Sequence, residues 1–140
     1  MRRKVLSLGA ALIAATLLAG CSAIDAIGTG SGRVAGTYEL RSVNGASLPA
    51  LYYQEPGYRL EVLNANFTIE NDGTYSEALI LRETVNGSTS TTSQSTYGFY
   101  DYLDGELTFD EASGRRYYGF VDGNTLTVED EGVRMVYRRF

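Results

Sequence analysis

Leu107-Thr108-Phe109-Asp110 recurs nineteen residues later as Leu126-Thr127-Val128-Glu129, and each copy is followed by a turn and a Tyr-containing segment. Within both copies apolar and polar residues alternate. Leu107 and Phe109 stand against Glu106, Thr108 and Asp110, and Leu126 and Val128 against Thr125, Thr127 and Glu129. Phe67 and Ile69 alternate in the same way with Asn66, Thr68 and Glu70. A period of two places one face of each segment in a core and the other in water, the signature of a strand. The nineteen-residue repeat therefore describes successive hairpins.

Working outward, the strand-like segments are separated by Asn44-Gly45, Asn71-Asp72-Gly73, Asn86-Gly87, Asp104-Gly105, Ser113-Gly114, Asp122-Gly123 and Glu131-Gly132. Asx-Gly pairs supply the positive φ that tight hairpin turns need. No stretch keeps apolar residues at helical spacing for three turns. The expected strands cover 37–43, 58–63, 65–70, 74–85, 92–102, 106–110, 115–121, 125–129 and 133–139. Residues 46–57 hold Pro49 and Pro56. Proline lacks the ladder donor, so this region is expected to be an irregular connection and not a central strand. The Ser/Thr run 88–96 reads as either an exposed hairpin tip or a strand with polar faces. Eight or nine such strands in an open sheet would leave bare edges, which closure removes. The expectation is all-β: a small antiparallel up-and-down meander barrel of about eight strands.

The chain begins quite differently. Arg2, Arg3 and Lys4 precede an Ala/Leu-rich apolar run from Val5 to Ala19, the basic and hydrophobic regions of an export signal. The run is shorter than the roughly 20 residues a membrane-spanning helix needs. Leu18-Ala19-Gly20-Cys21 resembles the lipobox of bacterial lipoproteins. That resemblance implies cleavage before Cys21, acylation of its thiol, and attachment to the membrane through the lipid. Ser22 at the next position, in place of aspartate, implies the outer membrane, with the protein facing the periplasm. The expected organisation is a signal peptide at 1–20, a lipidated N-terminus and Gly/Ser-containing tether at 21–34, and the barrel domain at 35–140.

Cleavage would remove three of the twelve basic residues and none of the seventeen acids, leaving nine against seventeen, or −8. Clustered basic residues for a phosphate backbone are missing, so nucleic acid is not an expected partner. Cys21 is the only cysteine, which excludes an intrachain disulfide. Histidine is absent, which removes the commonest general acid–base and a common metal ligand. P-loop and dinucleotide fingerprints are absent too. These features argue against an enzyme and imply no cofactor. The acids Asp101, Asp104 and Glu106, and the run Glu129-Asp130-Glu131, lack calcium-loop spacing and fall at turns. They read as solvation of the turns and not as a metal site.

Residues Gly36-Thr37-Tyr38-Glu39-Leu40-Arg41-Ser42-Val43-Asn44-Gly45 resemble the first strand of small lipocalin-like envelope lipoproteins. The resemblance implies that Tyr38 closes the barrel base beneath an arginine of the last strand, Arg138 or its neighbour Arg139. Tyr97, Phe99, Tyr118 and Phe120 alternate on two strands and are candidates to line a ligand cavity; the alternative is that they fill the core. Two functional readings follow for a non-enzymatic envelope lipoprotein. One is binding of a small apolar or amphipathic ligand inside the barrel. The other is a structural or protein-interaction role for the outer surface or for residues 46–57, where Tyr52 and Tyr53 lie.

Overall fold

The computed structural model describes residues 31–140. The expected export signal, Cys21 and the first part of the expected tether lie outside the described residues. The end of that tether is structured: Ser31–Val34 form a helical turn, α1. Val34 is buried, and its carbonyl accepts a hydrogen bond from the Tyr38 hydroxyl at 2.7 Å.

Ten strands follow: β1 (Gly36–Val43), β2 (Ala46–Ser47), β3 (Ala50–Glu55), β4 (Tyr58–Ile69), β5 (Thr74–Val85), β6 (Ser88–Leu103), β7 (Glu106–Glu111), β8 (Arg116–Asp122), β9 (Thr125–Asp130) and β10 (Val133–Arg139). Each of β4 to β10 pairs antiparallel with the next, and β10 pairs with β1. The sheet closes where Gly36 to Glu39 of β1 meet Ile69 to Asn66 of β4. The result is an eight-stranded meander barrel, with β2 and β3 as two additional short strands.

The turn chemistry explains the meander. Asn44, Asn86 and Asp104 have φ of 49, 48 and 50°, and the glycine after each is also positive. That double left-handed geometry gives a two-residue hairpin turn whose twist matches the flanking strands.

Two segments differ from the sequence expectation, and a third decides between the alternatives it left open. Residues 50–55 are a strand, β3, but it lies at the edge beside β4, where the nearby prolines interrupt no ladder. The expected strands 58–63 and 65–70 are one strand with a register shift between Val62 and Asn64. The Ser/Thr run is a strand, and its residues 88–95 are exposed. Because β5 and β6 pair from Val85–Ser88 back to Thr74–Phe99, this hairpin reaches well past β7, which pairs only with Gly98 to Leu103, while β4 accompanies β5 to its tip.

The interior is built from rings. Phe67 stacks on Tyr75 at 5.3 Å and meets Phe109 and Tyr137 edge-on at 5.0 and 5.7 Å. Phe109 in turn stacks on Tyr117 at 5.1 Å. All five are buried. Such offset and edge-to-face pairs add stability beyond their area burial. A Cβ on Gly119 would come within 2.9 Å of the Phe109 ring, so this glycine leaves the volume that the ring occupies.

Candidate functional site

The barrel has two different ends. The base lies where β1 begins and β10 ends. There the Arg139 guanidinium lies 5.5 Å from the Tyr38 ring centroid. Its Nη1 donates to the carbonyls of Ala35 and Arg33 at 3.0 and 3.2 Å, and its Nη2 to Asn124 Oδ1 at 3.4 Å. Tyr38 is thus the buried closing ring, but the covering arginine is Arg139. Arg138 is exposed. The reason is parity: Tyr137 points inward and is fully buried, so Arg139 shares its face and Arg138 points out. Gly36 makes the overlay possible, since a Cβ there would approach Arg139 Cδ to 2.8 Å.

The four aromatic candidates do not line the interior. Tyr97, Phe99, Tyr118 and Phe120 are 66, 69, 60 and 49% exposed on the outer face of β6 and β8. The inward positions of these strands belong to Gly98, Tyr100, Tyr117 and Gly119 instead. Gly98 explains the orientation of β6: a Cβ there would lie 2.0 Å from the Asp110 carbonyl oxygen, so backbone fills the inward space that a side chain would take. On β8 the Phe109 ring plays the same part at Gly119.

Outside, Leu103 joins the four aromatics at 73% exposed. Register places Phe99 level with Asp110 and Arg116, Asp101 level with Thr108 and Tyr118, and Leu103 level with Glu106 and Phe120. The face is thus aromatic with acids interleaved. It carries two shallow hollows. One, of about 350 Å³, is bordered by Tyr97, Phe99 and Thr74; the other, of about 390 Å³, by Tyr118, Phe120 and Glu129.

The opposite end of the barrel is its mouth, near the β7–β8 and β9–β10 turns. A cavity of about 120 Å³ opens there, with Glu77, Thr96, Gln94 and Tyr117 among its walls and Leu79 and Met135 as apolar lining. Glu77 is only 7% exposed, because it takes an inward position of β5 between Tyr75 and Leu79. Its carboxylate accepts a hydrogen bond from the Tyr137 hydroxyl. Burial raises the Glu77 pKa above the ordinary carboxylate range, against the opposing pull of that hydrogen bond and of Arg115. Burial also pushes the Tyr137 and Tyr117 phenols upward, so both stay neutral. The Tyr117 hydroxyl is directed at that of Tyr75, which raises the Tyr117 pKa and opposes the burial-driven rise at Tyr75, but among the described residues neither makes a full-geometry hydrogen bond. Thr96 Oγ1 is likewise buried without a partner.

Arg115 spans the rim. It contacts Glu111 Oε2 at 3.0 Å and Asp130 Oδ2 at 3.0 Å, and its guanidinium lies 5.5 Å from the Tyr117 centroid. Burial opposes its charge, but Asp130 and Glu111 more than offset that. Asp130 itself is raised by burial, with Arg115 pulling the other way.

Sequence reasoning missed Glu77, though a signal existed. Tyr75, Glu77, Leu79 and Leu81 share one parity of β5, and an acid in an otherwise apolar row marks a buried polar position. Among the described residues no cluster of three or more acidic, histidine or cysteine side chains could hold a metal ion.

Fold and site together define a small closed β-barrel with a filled aromatic base, a narrow polar mouth and an aromatic outer face. No family model, curated protein or solved structure matches the chain.

Proposed function

We propose that the chain is a non-enzymatic, lipid-anchored protein of the bacterial cell envelope, and that it works as a protein-interaction module through the outer face of β6–β8. The anchor reading rests on the basic, apolar and lipobox-like residues up to Cys21, with the outer membrane favoured by Ser22. The interaction reading rests on one observation: five large apolar side chains, Tyr97, Phe99, Leu103, Tyr118 and Phe120, stand exposed on one face while the interior is packed with rings. Grouped exposed aromatics are what interfaces bury at their centres.

The interleaved acids specify the partner's chemistry. Asp101, Glu106 and Asp122 are exposed beside the aromatics, so an anionic bilayer surface would be repelled. A protein surface that presents apolar side chains and unpaired Lys or Arg is complementary.

A photocrosslinker placed at Phe99 or Phe120 in intact cells tests this. The reading expects one dominant protein adduct that disappears in the Phe120→Ser and Phe99→Ser backgrounds respectively, with the barrel still folded. Adducts only to lipid, or a pattern unchanged by the serine variants, would refute it. For the anchor, Cys21→Ala should move the protein from the membrane to the soluble fraction.

The second reading, a small amphipathic ligand within the barrel, is favoured by the mouth cavity. At about 120 Å³ that cavity is well below the roughly 300 Å³ at which drug-sized pockets begin, so it suits only a small guest.

A further inference from the structure

The geometry points to a second, separate site: the mouth cavity takes a small organic cation, a primary ammonium on a short apolar chain, with Glu77 as its counter-ion. Four observations carry this, and none depends on the outer face.

The first is charge. Glu77 and Asp130 line the cavity with Glu111 beside them, and among the described residues the cation lining it is Arg115, whose guanidinium is already engaged by Glu111 and Asp130. Among the described residues the neutral Tyr137 hydroxyl is the hydrogen-bonding partner of Glu77. An isolated buried carboxylate is costly unless a cation joins it or a proton neutralises it.

The second is the set of unused acceptors. Tyr117 is 4% exposed and lines the cavity; its hydroxyl proton is directed at Tyr75, and among the described residues its oxygen accepts no hydrogen bond. Thr96 Oγ1 is unpartnered on the same wall, directly across from Glu77 in the β5–β6 register. Buried polar atoms are nearly always satisfied, so a guest that meets both gains hydrogen bonds the walls do not make among themselves. With Glu77 they make three oxygen acceptors, the number that the three N–H donors of a primary ammonium require.

The third is shape. A cavity of about 120 Å³ has the volume of about four liquid waters, or of an organic group of similar size. The fourth is the lining beyond Glu77: Leu79, Leu81, Val128 and Met135 offer an apolar sleeve, and Tyr52 a ring at the entrance. Water alone gains nothing from such walls, and a metal ion would want more oxygens than they offer. A short alkyl chain gains from all of them.

The test uses the full-length chain in a non-ionic detergent, titrated calorimetrically with n-butylammonium chloride. Two probes serve as controls: n-butanol keeps the alkyl chain but lacks the charge, and tetramethylammonium keeps the charge but lacks N–H donors. Saturable binding of butylammonium, at least tenfold tighter than either control, is expected. Glu77→Gln should abolish that preference, and Tyr117→Phe should weaken butylammonium binding several-fold. Both variants are near-isosteric, and far-UV circular dichroism checks that they fold. Burial pushes the Glu77 pKa up and a bound ammonium would pull it down, so binding should release protons increasingly as the pH is lowered toward that pKa. This would appear as a dependence of the observed heat on the buffer's ionisation enthalpy, and it should vanish in Glu77→Gln. The groups facing Glu77 on every side, Tyr137, Tyr117, Tyr75, Tyr52, Arg115, Asp130 and Glu111, are unchanged in that variant. Absence of saturable butylammonium binding, or binding indifferent to Glu77→Gln, would overturn the proposal and leave the cavity to ordered water.

Discussion

Removing the Arg139 side chain should open the base of the barrel, and the neighbouring arginine makes an internal control. In Arg139→Ala three contributions disappear. The guanidinium over Tyr38, at 5.5 Å, is a partly exposed cation–π contact of about 0.5–1 kcal/mol. The bond to the Ala35 carbonyl at 3.0 Å is charge-assisted and half-buried, adding about 1 kcal/mol. The longer contacts to Arg33 and Asn124, at 3.2 and 3.4 Å, face water and add a few tenths of a kcal/mol at most. The total is about 2 kcal/mol, which for a domain of this size lowers Tm by roughly 10 °C. Arg138→Ala, on the exposed face, should stay within about 0.5 kcal/mol of the parent. Arg139→Lys should recover less than half of the loss, because an ammonium cannot lie flat on the ring while bonding two carbonyls. Urea unfolding followed by far-UV circular dichroism measures all three, with an unchanged slope required for the comparison. Equal losses at positions 138 and 139, or a larger one at 138, would refute the assignment of the closing arginine.

Other perturbations probe the remaining parts of the barrel. Glu61 is held between Arg82 and Arg59 at 2.9 and 3.0 Å, and these bonds depress its pKa from the ordinary 4.5 to about 2. A depressed carboxylate contributes stability above its unfolded pKa and loses it as pH falls through the folded one. The arginine side chains are 45 and 38% exposed, so solvent screening cuts the contribution to about 1 kcal/mol. Melts between pH 5 and pH 2 should show that loss, and Glu61→Gln should lack it. Gly98→Ala should cost more than about 3 kcal/mol or prevent folding, since its Cβ would sit 2.0 Å from the Asp110 carbonyl oxygen; soluble yield and thermal melts report it. Tyr100→Phe removes the bond to the Glu70 carbonyl at 2.7 Å and should cost about 1 kcal/mol in the same melts.

Much of the barrel can be read in the chain because its turns are written in Asx-Gly pairs. Every expected turn glycine from Gly45 to Gly132 has a positive φ, and the repeated alternation of Leu107 to Asp110 and Leu126 to Glu129 appears as strands β7 and β9, which flank β8. Even the misplaced break in β4 fell at a real irregularity, the bulge between Val62 and Asn64. What alternation cannot decide is which parity faces in when both rows are aromatic. On β6, Tyr97 and Phe99 compete with Tyr100 and Tyr102, and on β8, Tyr118 and Phe120 compete with Tyr117. The deciding residues are Gly98 and Gly119, whose missing side chains admit the Asp110 carbonyl and the Phe109 ring. Those are contacts from a neighbouring strand, so they are invisible in the local pattern. Position 139 was more accessible. Counting two residues from Tyr137 places Arg139 inward, and the structure sets it directly opposite Tyr38.

The two candidate surfaces and the chain's entry point are arranged to some purpose. The chain enters at Gly36, whose neighbours are Ile69 and Arg139 at the closed base. Glu77's cavity opens at the other end, beside Arg115 and Asp130, and the outer aromatic face runs along the side wall between them. A barrel held through residues before Gly36 therefore carries its mouth on the end away from the attachment, and its aromatic wall across it. The chemistry separates them further, since the wall offers large apolar area with scattered acids while the mouth offers a few enclosed oxygens. A partner protein can cover the wall without blocking the mouth, and a small cation can enter the mouth without disturbing the wall. The two sites should accordingly bind independently, and coupling between them would require a movement of β6 or β8, whose inward faces are locked by Gly98 and Gly119.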